Sequence, residues 1–266
     1  MEAFAYLQPL ITLADKHSGG HHFMNNTISL IPLSNLAMGL VPALAVVAIL
    51  YVWKQDYQKA VYACGRMVLQ LMLIGYFLNY LFGADSAGVA LTVLAIMLLA
   101  ASWISVRAAK HNLRDWYPKA LGSIAIGGGT TLLIITQVVL ELKPWYQTSI
   151  MIPMAGMIFS NAMNSVSLTA ERLSAELERG QHYKQARTIA LQAALIPITN
   201  TLLAVGLVAL PGMMTGQILS GIKPLLAVRY QIMVMCMTYG SAGISAACYL
   251  KFASPEHNYD APSPSI

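Results

Sequence analysis

AGVALTVLAIMLLAASWIS, residues 87–105, contains no charged side chain and is almost wholly apolar. A run of this length matches the roughly 20 residues that an α-helix needs to cross the hydrocarbon core of a bilayer. Runs of similar length recur along the chain, at 34–53, 61–82, 120–142, 148–169, 190–210 and 226–250. The sequence therefore predicts an all-α, polytopic membrane protein with seven transmembrane helices.

The composition of the whole chain favours the same class. Hydrophobic residues make up 57% of the 266 residues and charged residues only 10%, whereas about a quarter of the residues of a soluble domain are charged. The net charge of +5 comes from basic residues spread over short loops, which is typical of a topology signal. We therefore predict a multi-pass membrane protein that contacts lipid and has no nucleic-acid partner.

Lysine and arginine are concentrated in alternate connections between the predicted spans. The connections after the first, third and fifth spans carry ten basic residues: Lys54, Lys59, Arg107, Lys110, Arg114, Lys119, Arg172, Arg179, Lys184 and Arg187. Because cytoplasmic loops carry the excess of basic residues, we expect the N-terminus outside and the C-terminus in the cytoplasm. The predicted parts are an external N-terminal segment (1–33), a transmembrane domain (34–250) and a flexible cytoplasmic tail (251–266).

The fifth predicted span lies in MIPMAGMIFSNAMNSVSLTAERL (151–173), which is more polar than contact with lipid requires. Four of its side chains recur at intervals of three and four residues, and so form one stripe on a helix: Met154, Met157, Asn161 and Asn164. The sixth span adds Thr199 and Asn200. Since amides within a membrane bond to other helices or line a wet path, we expect the stripe to face protein or a central cavity.

Several other residues allow two interpretations each. Arg66, with Gln70 one turn further along, either snorkels to the cytoplasmic interface or faces inward as a counter-charge for an anion. Methionine sulfur binds soft metals, but methionine is also a flexible packing residue. The external segment 211–224, which contains Met213 and Met214, is either a surface loop or a re-entrant turn.

The N-terminal stretch KHSGGHH contains His17, His21 and His22, which are weak candidates for metal ligands. A plain polar external linker is the alternative interpretation of the same stretch.

Energy-coupling groups are missing from the predicted spans. None has an Asp or Glu in its interior, which argues against a proton-coupled or sodium-coupled carrier and against an intramembrane hydrolase. The chain has no GxxxxGK[ST] phosphate loop either. If transport is active, its energy must come from another subunit.

The connection at about 170–190 is the longest internal loop and is rich in helix-forming residues. Leu173 and Leu177 are spaced to share one helical face, and Gly180 interrupts the pattern. We expect a short cytoplasmic helix, a turn at Gly180 and then entry into the sixth span. The segment is either a solvated hairpin or a docking element for a cytoplasmic partner.

Three stretches together resemble the FetB-type membrane subunits of bacterial ABC transporters, which are described as iron exporters. They are GRMVLQLMLIGY (65–76), IPMAGMIFSNAM (152–163) and ALIPITNTLLAVGLVALPGMMTGQILSGIKPLLAVRYQIMV (194–234). The resemblance implies a permease without its own nucleotide site or cofactor, a separate cytoplasmic ATPase subunit that binds ATP and Mg²⁺, and a permease homodimer.

The resemblance also implies that the 170–190 connection docks onto the ATPase, because family members have a glycine followed by a Lys-Gln pair there. This chain has Gly180, Lys184 and Gln185. Plant relatives are linked to aluminium tolerance and to nucleotide-sugar transport, so the family does not define the substrate.

Our leading hypothesis is the permease subunit of an ATP-driven exporter of iron or a related metal that works by alternating access. The residues predicted to line its substrate pathway are Arg66, Gln70, Met154, Met157, Asn161, Asn164, Thr199, Asn200, Met213 and Met214. Hard iron ions prefer oxygen ligands and carboxylates, and the predicted spans have no interior carboxylate, which argues against a tight, dehydrated iron site. One alternative is the export of an anionic organic solute with Arg66 as its counter-charge. Another is a non-transporting scaffold that regulates the ATPase.

Overall fold

The computed structural model of the chain describes residues 32–83, 86–108 and 113–254. These residues form nine α-helices and one π-helix: α1 (Leu33–Met38), α2 (Val41–Val52), α3 (Tyr57–Gly83), α4 (Ala87–Ala108), α5 (Leu113–Leu133), the π-helix (Ile134–Val139), α6 (Thr148–Glu178), α7 (Tyr183–Ala204), α8 (Gly212–Leu219) and α9 (Pro224–Phe252). The all-α prediction is therefore confirmed. Most of the predicted N-terminal segment, with its three histidines, and most of the tail lie outside the described residues.

Four stretches of helix are long and apolar enough to cross a membrane: Asn35–Val52, Ala87–Arg107, Asp115–Val139 and Pro224–Phe252. They correspond to the predicted first, third, fourth and seventh spans. The other three predicted spans lie on α3, α6 and α7. The total of seven spans and the orientation of the termini remain predictions.

The connection between α6 and α7 differs from the expected separate helix. Residues 170–178 are the last turns of α6, because no helix-breaking residue stands between Thr169 and Gly180. Gly180 has φ +81°, and the backbone N–H groups of Gly180 and Gln181 donate to the carbonyls of Leu177 and Glu176. This is the Schellman arrangement that ends a helix at a glycine, and α7 begins three residues later.

Two predicted spans are shorter as helices than their apolar sequences suggest. The sixth was expected to reach residue 210, but α7 ends at Ala204. Gly206 adopts φ +84°, which turns the chain ahead of Pro211, and apolar character alone does not reveal such a turn. The first span is divided between α1 and α2 at Gly39 and Leu40, close to Pro42.

Four helices, α4, α5, α6 and α9, pack around a shared apolar core, and α7 packs against α6 and α9. Two helices approach closely at the GGG run of α5, where a side chain on Gly127 would overlap the backbone of Ser245 in α9. Small residues at such crossings let helix backbones approach closely in membrane proteins. By contrast, α2 has no buried residue and contacts mainly α3, so its apolar surface is available to lipid or to another chain.

Candidate functional site

A small polar cavity lies between α6, α7 and α9. Its volume is about 110 Å³, and the side chains that give it polar character are those of Asn161, Asn164, Ser165 and Thr201. The rest of its lining is apolar and comprises Leu168 of α6, Ala194, Pro197 and Ile198 of α7, and Ala242 of α9. The cavity is where the polar stripe of α6 meets its neighbouring helices.

Several oxygen atoms near the cavity have incomplete hydrogen bonding or belong to polar side chains. The amide of Asn161 donates to the carbonyl of Met157 at 2.9 Å, which leaves its own carbonyl oxygen available. Pro197 has no N–H to offer the carbonyl one turn earlier, and Thr201 donates to the carbonyl of Pro197 at 2.9 Å. The hydroxyl of Ser165 is buried and has no hydrogen-bond partner among the described residues. Neutral oxygen ligands of this kind suit a hydrated hard cation better than a soft one.

The structure separates the other predicted pathway residues from this cavity. Met154 is 5% exposed and lies in the apolar core, with Met157 and Met213 packed against that core. The remaining predicted residues, which are not among those lining the cavity, are Thr199, Asn200, Met214, Arg66 and Gln70. Of these, Asn200 and Gln70 are exposed and the others are half-buried. The methionine part of the stripe therefore packs in the core.

The hairpin that joins α6 to α7 is held by a second apolar cluster. Leu173, Ala186, Ala190 and Leu250 are buried together, and the hydroxyl of Tyr183 donates to the backbone carbonyl of Leu250. Leu173 thus packs within the chain. The other predicted coupling residues, Leu177, Gly180, Lys184 and Gln185, are exposed on the hairpin surface. The hairpin, defined here as residues 170–190, is therefore anchored to the end of α9.

A buried carboxylate at this end of α6 was not singled out from the sequence. Glu176 is 4% exposed, and one of its oxygens, Oε1, accepts from Arg172 and from Arg179, each at 2.8 Å. The three residues are spaced i, i+4 and i, i+3 in RLSAELER, a pattern that places them on one helical face. This spacing is the feature of the sequence from which the ion pairs could have been predicted.

Tyr183 lies beside a basic residue as well. Burial raises the pKa of the Tyr183 phenol, while the neighbouring guanidinium of Arg187 lowers it.

Among the described residues, no group of three or more His, Cys, Asp or Glu side chains is arranged to hold a metal ion.

Comparison with known proteins defines the family. Residues 33–257 match the model of a family described as "Uncharacterised protein family (UPF0014)". The chain belongs to the UPF0014 family. A UPF0014 membrane protein of Synechocystis sp. is 36% identical over 218 residues, which cover 73% of this chain and 83% of that protein.

Two other UPF0014 relatives have more informative names. The "Probable iron export permease protein FetB" of Escherichia coli K12 is 34% identical over 249 residues, 85% of this chain and 94% of that protein. "Protein ALUMINUM SENSITIVE 3" of Arabidopsis thaliana is 30% identical over 227 residues, 77% of this chain and 82% of that protein. No solved structure matches the chain. The resemblance to FetB-type proteins is confirmed, and the chain is related to membrane proteins that include a probable iron export permease.

Proposed function

We propose that this UPF0014 chain is the membrane-spanning permease subunit of an ATP-driven ABC exporter of iron or a related metal in the cell (inner) membrane. The observation that carries the proposal is the 34% identity to a probable iron export permease, along 94% of that protein. The chain contains no phosphate loop, so we assign ATP and Mg²⁺ binding to a separate cytoplasmic ATPase subunit. We expect two permease chains in the assembly.

The polar cavity supports a place for the cargo in this scheme. Its neutral oxygen atoms come from side chains of α6 and α7, and such atoms can replace part of the water around a cation without holding it tightly. Weak contact of this kind is what a transport route needs, since the ion must also leave. We propose that alternating access opens this cavity to one side of the membrane and then to the other.

The hairpin supports the coupling step. Its exposed surface, with Leu177, Lys184 and Gln185, is available to an ATPase, while Leu173 and Tyr183 connect it to α9. Movement imposed on the hairpin by the partner would therefore be passed to α6, α7 and α9 together, which are the three helices around the cavity.

Uptake by inverted membrane vesicles tests the proposed function, because export from the cell becomes accumulation inside such vesicles. Vesicles from cells that produce the chain and its native partners should accumulate Fe²⁺ when ATP is added, and vesicles from a deletion strain should not. Accumulation of a nucleotide sugar in place of iron would instead favour the anionic-solute alternative, for which Arg66 is half-buried on α3. Accumulation of neither substrate would favour the scaffold.

Asn161→Leu should lower ATP-dependent metal uptake in the same vesicles by about tenfold. The substitution removes amide contacts worth roughly 1–1.5 kcal/mol from the cavity, and 1.4 kcal/mol corresponds to about tenfold in a binding constant. Asn200→Leu is the matched control, because Asn200 lies outside the lining of the cavity. Equal metal uptake by the two variants would contradict the proposal that the transport route passes through this cavity.

A further inference from the structure

A larger groove lies between the first turns of α7 and the last turns of α9. Its volume is about 900 Å³. One part of its lining is apolar, with Leu191, Ala247 and Leu250, and the other part carries the basic side chains of Arg187 and Lys251. The groove is separate from the polar cavity and shares none of its lining residues.

The two basic side chains have no acidic partner among the described residues. The described ion pairs use Lys59, Arg172 and Arg179, and neither Arg187 nor Lys251 takes part in one. Lys251 lies in the last turn of α9, where a helix dipole favours a cation. Arg187 lies near the N-terminal end of α7, where the dipole favours an anion, so helix electrostatics does not account for it.

The position of the groove relative to the bilayer narrows the choice of ligand. Arg187 precedes the predicted sixth span and Lys251 ends a stretch of helix long and apolar enough to cross a membrane. Both belong to the basic end of the molecule, for which the sequence predicts a cytoplasmic position at the level of the lipid headgroups. Basic pockets between helices on this side of a membrane bind the headgroups of anionic lipids.

We propose that this groove binds one acidic phospholipid, with its phosphate between Arg187 and Lys251 and an acyl chain along Leu191, Ala247 and Leu250. Charge and shape both fit this ligand, because two cations stand beside an apolar wall at the membrane boundary. A lipid held there bridges α7 and α9 next to the contact between Tyr183 and Leu250. A bound lipid therefore stabilises the packing of the hairpin against α9. This effect does not depend on which cargo is transported.

Lipid binding to the purified full-length chain in a neutral detergent tests the proposal. We expect phosphatidylglycerol to bind and to raise the unfolding temperature, and phosphatidylcholine with the same acyl chains to bind much more weakly. Each of R187Q and K251Q should weaken phosphatidylglycerol binding about fivefold, and the double variant about 30-fold, since a basic residue near a membrane surface contributes roughly 1 kcal/mol. The charge-conserving variant R187K/K251R should retain most of the binding.

Lys184→Gln is the matched control, because Lys184 is exposed on α7 but does not line the groove. It should leave lipid binding unchanged. Equal affinity for the two lipids, or full binding by the double variant, would overturn the proposal.

Two further experiments distinguish a lipid from other possible occupants of the groove. Inorganic phosphate or glycerol 3-phosphate binding as tightly as phosphatidylglycerol would assign the groove to a soluble phosphate and overturn the lipid assignment. The acidic tail, with Glu256 and Asp260, is the remaining candidate. If phosphatidylglycerol bound only after residues 255–266 were deleted, the tail would be the occupant and the proposal would be wrong.

Discussion

Gly127→Ala is expected to lower the stability of the folded chain more than any other single-methyl addition in α5. An alanine Cβ at this position would lie 2.5 Å from the backbone nitrogen of Ser245 and 2.8 Å from its Cα. Backbone atoms in the middle of a helix cannot rotate away, so α5 and α9 must move apart. Overpacking of this kind commonly destabilises a protein by 1–3 kcal/mol and occasionally by more, and we expect about 3 kcal/mol here.

Gly129→Ala provides the matched control two residues further along the same helix. A Cβ at Gly129 would meet no atom within 4 Å, so alanine should leave stability unchanged or raise it slightly through its better helix propensity. Thermal unfolding of the purified variants in detergent measures the difference. A fall of several degrees in Tm for Gly127→Ala alone is the expected result, and similar Tm values for both variants would show that α5 and α9 do not cross there.

Glu176→Gln is expected to destabilise the hairpin and, in the proposed complex, to weaken its coupling to the ATPase. The carboxylate is 4% exposed and accepts hydrogen bonds from two arginines. Hydrogen bonds to charged groups contribute roughly 1.5–3 kcal/mol each to stability. Because both guanidinium groups also reach solvent, we expect a total loss of about 3 kcal/mol, which is the low end of the range for two bonds.

The measurement that isolates coupling is the amount of metal transported per ATP hydrolysed in vesicles. Glu176→Gln should lower this ratio while ATP hydrolysis continues, because a loosened hairpin passes less of the partner's movement to α7 and α9. Glu178→Gln is the control, since Glu178 is exposed and forms no ion pair with a described residue. If Glu176→Gln left this ratio unchanged, the ion pairs of Glu176 would have no role in coupling, and the prediction would be wrong.

Hydropathy predicts those helices whose ends coincide with the ends of an apolar run. The predicted spans at 87–105 and 226–250 differ from α4 and α9 by at most three residues at either end, because the apolar sequence stops close to both ends of these helices. Hydropathy detects where apolar sequence gives way to polar sequence, and a helix can continue beyond that point. The last turns of α6 are polar and were therefore assigned to a separate helix.

The candidate site was predictable only in part for a similar reason. The spacing of Asn161 and Asn164 places them on one face of α6 from sequence alone. Which helices lie opposite that face depends on contacts far apart in the chain, with Thr201 and Ala242, and periodicity within one helix does not contain this information. Glu176 was overlooked because a charged residue in a predicted loop is ordinarily solvated, whereas here two arginines on the same helix allow its burial.

The central claim is that this chain is a passive permease driven by a separate ATPase, and purification of the tagged chain from native membranes tests it most directly. The account predicts that an ATP-binding protein with a GxxxxGK[ST] loop copurifies with the chain, and that the complex hydrolyses ATP. It also predicts that changes to exposed Lys184 and Gln185 on the hairpin release this partner. A chain that purifies without any ATPase and still moves metal across a membrane would contradict the account.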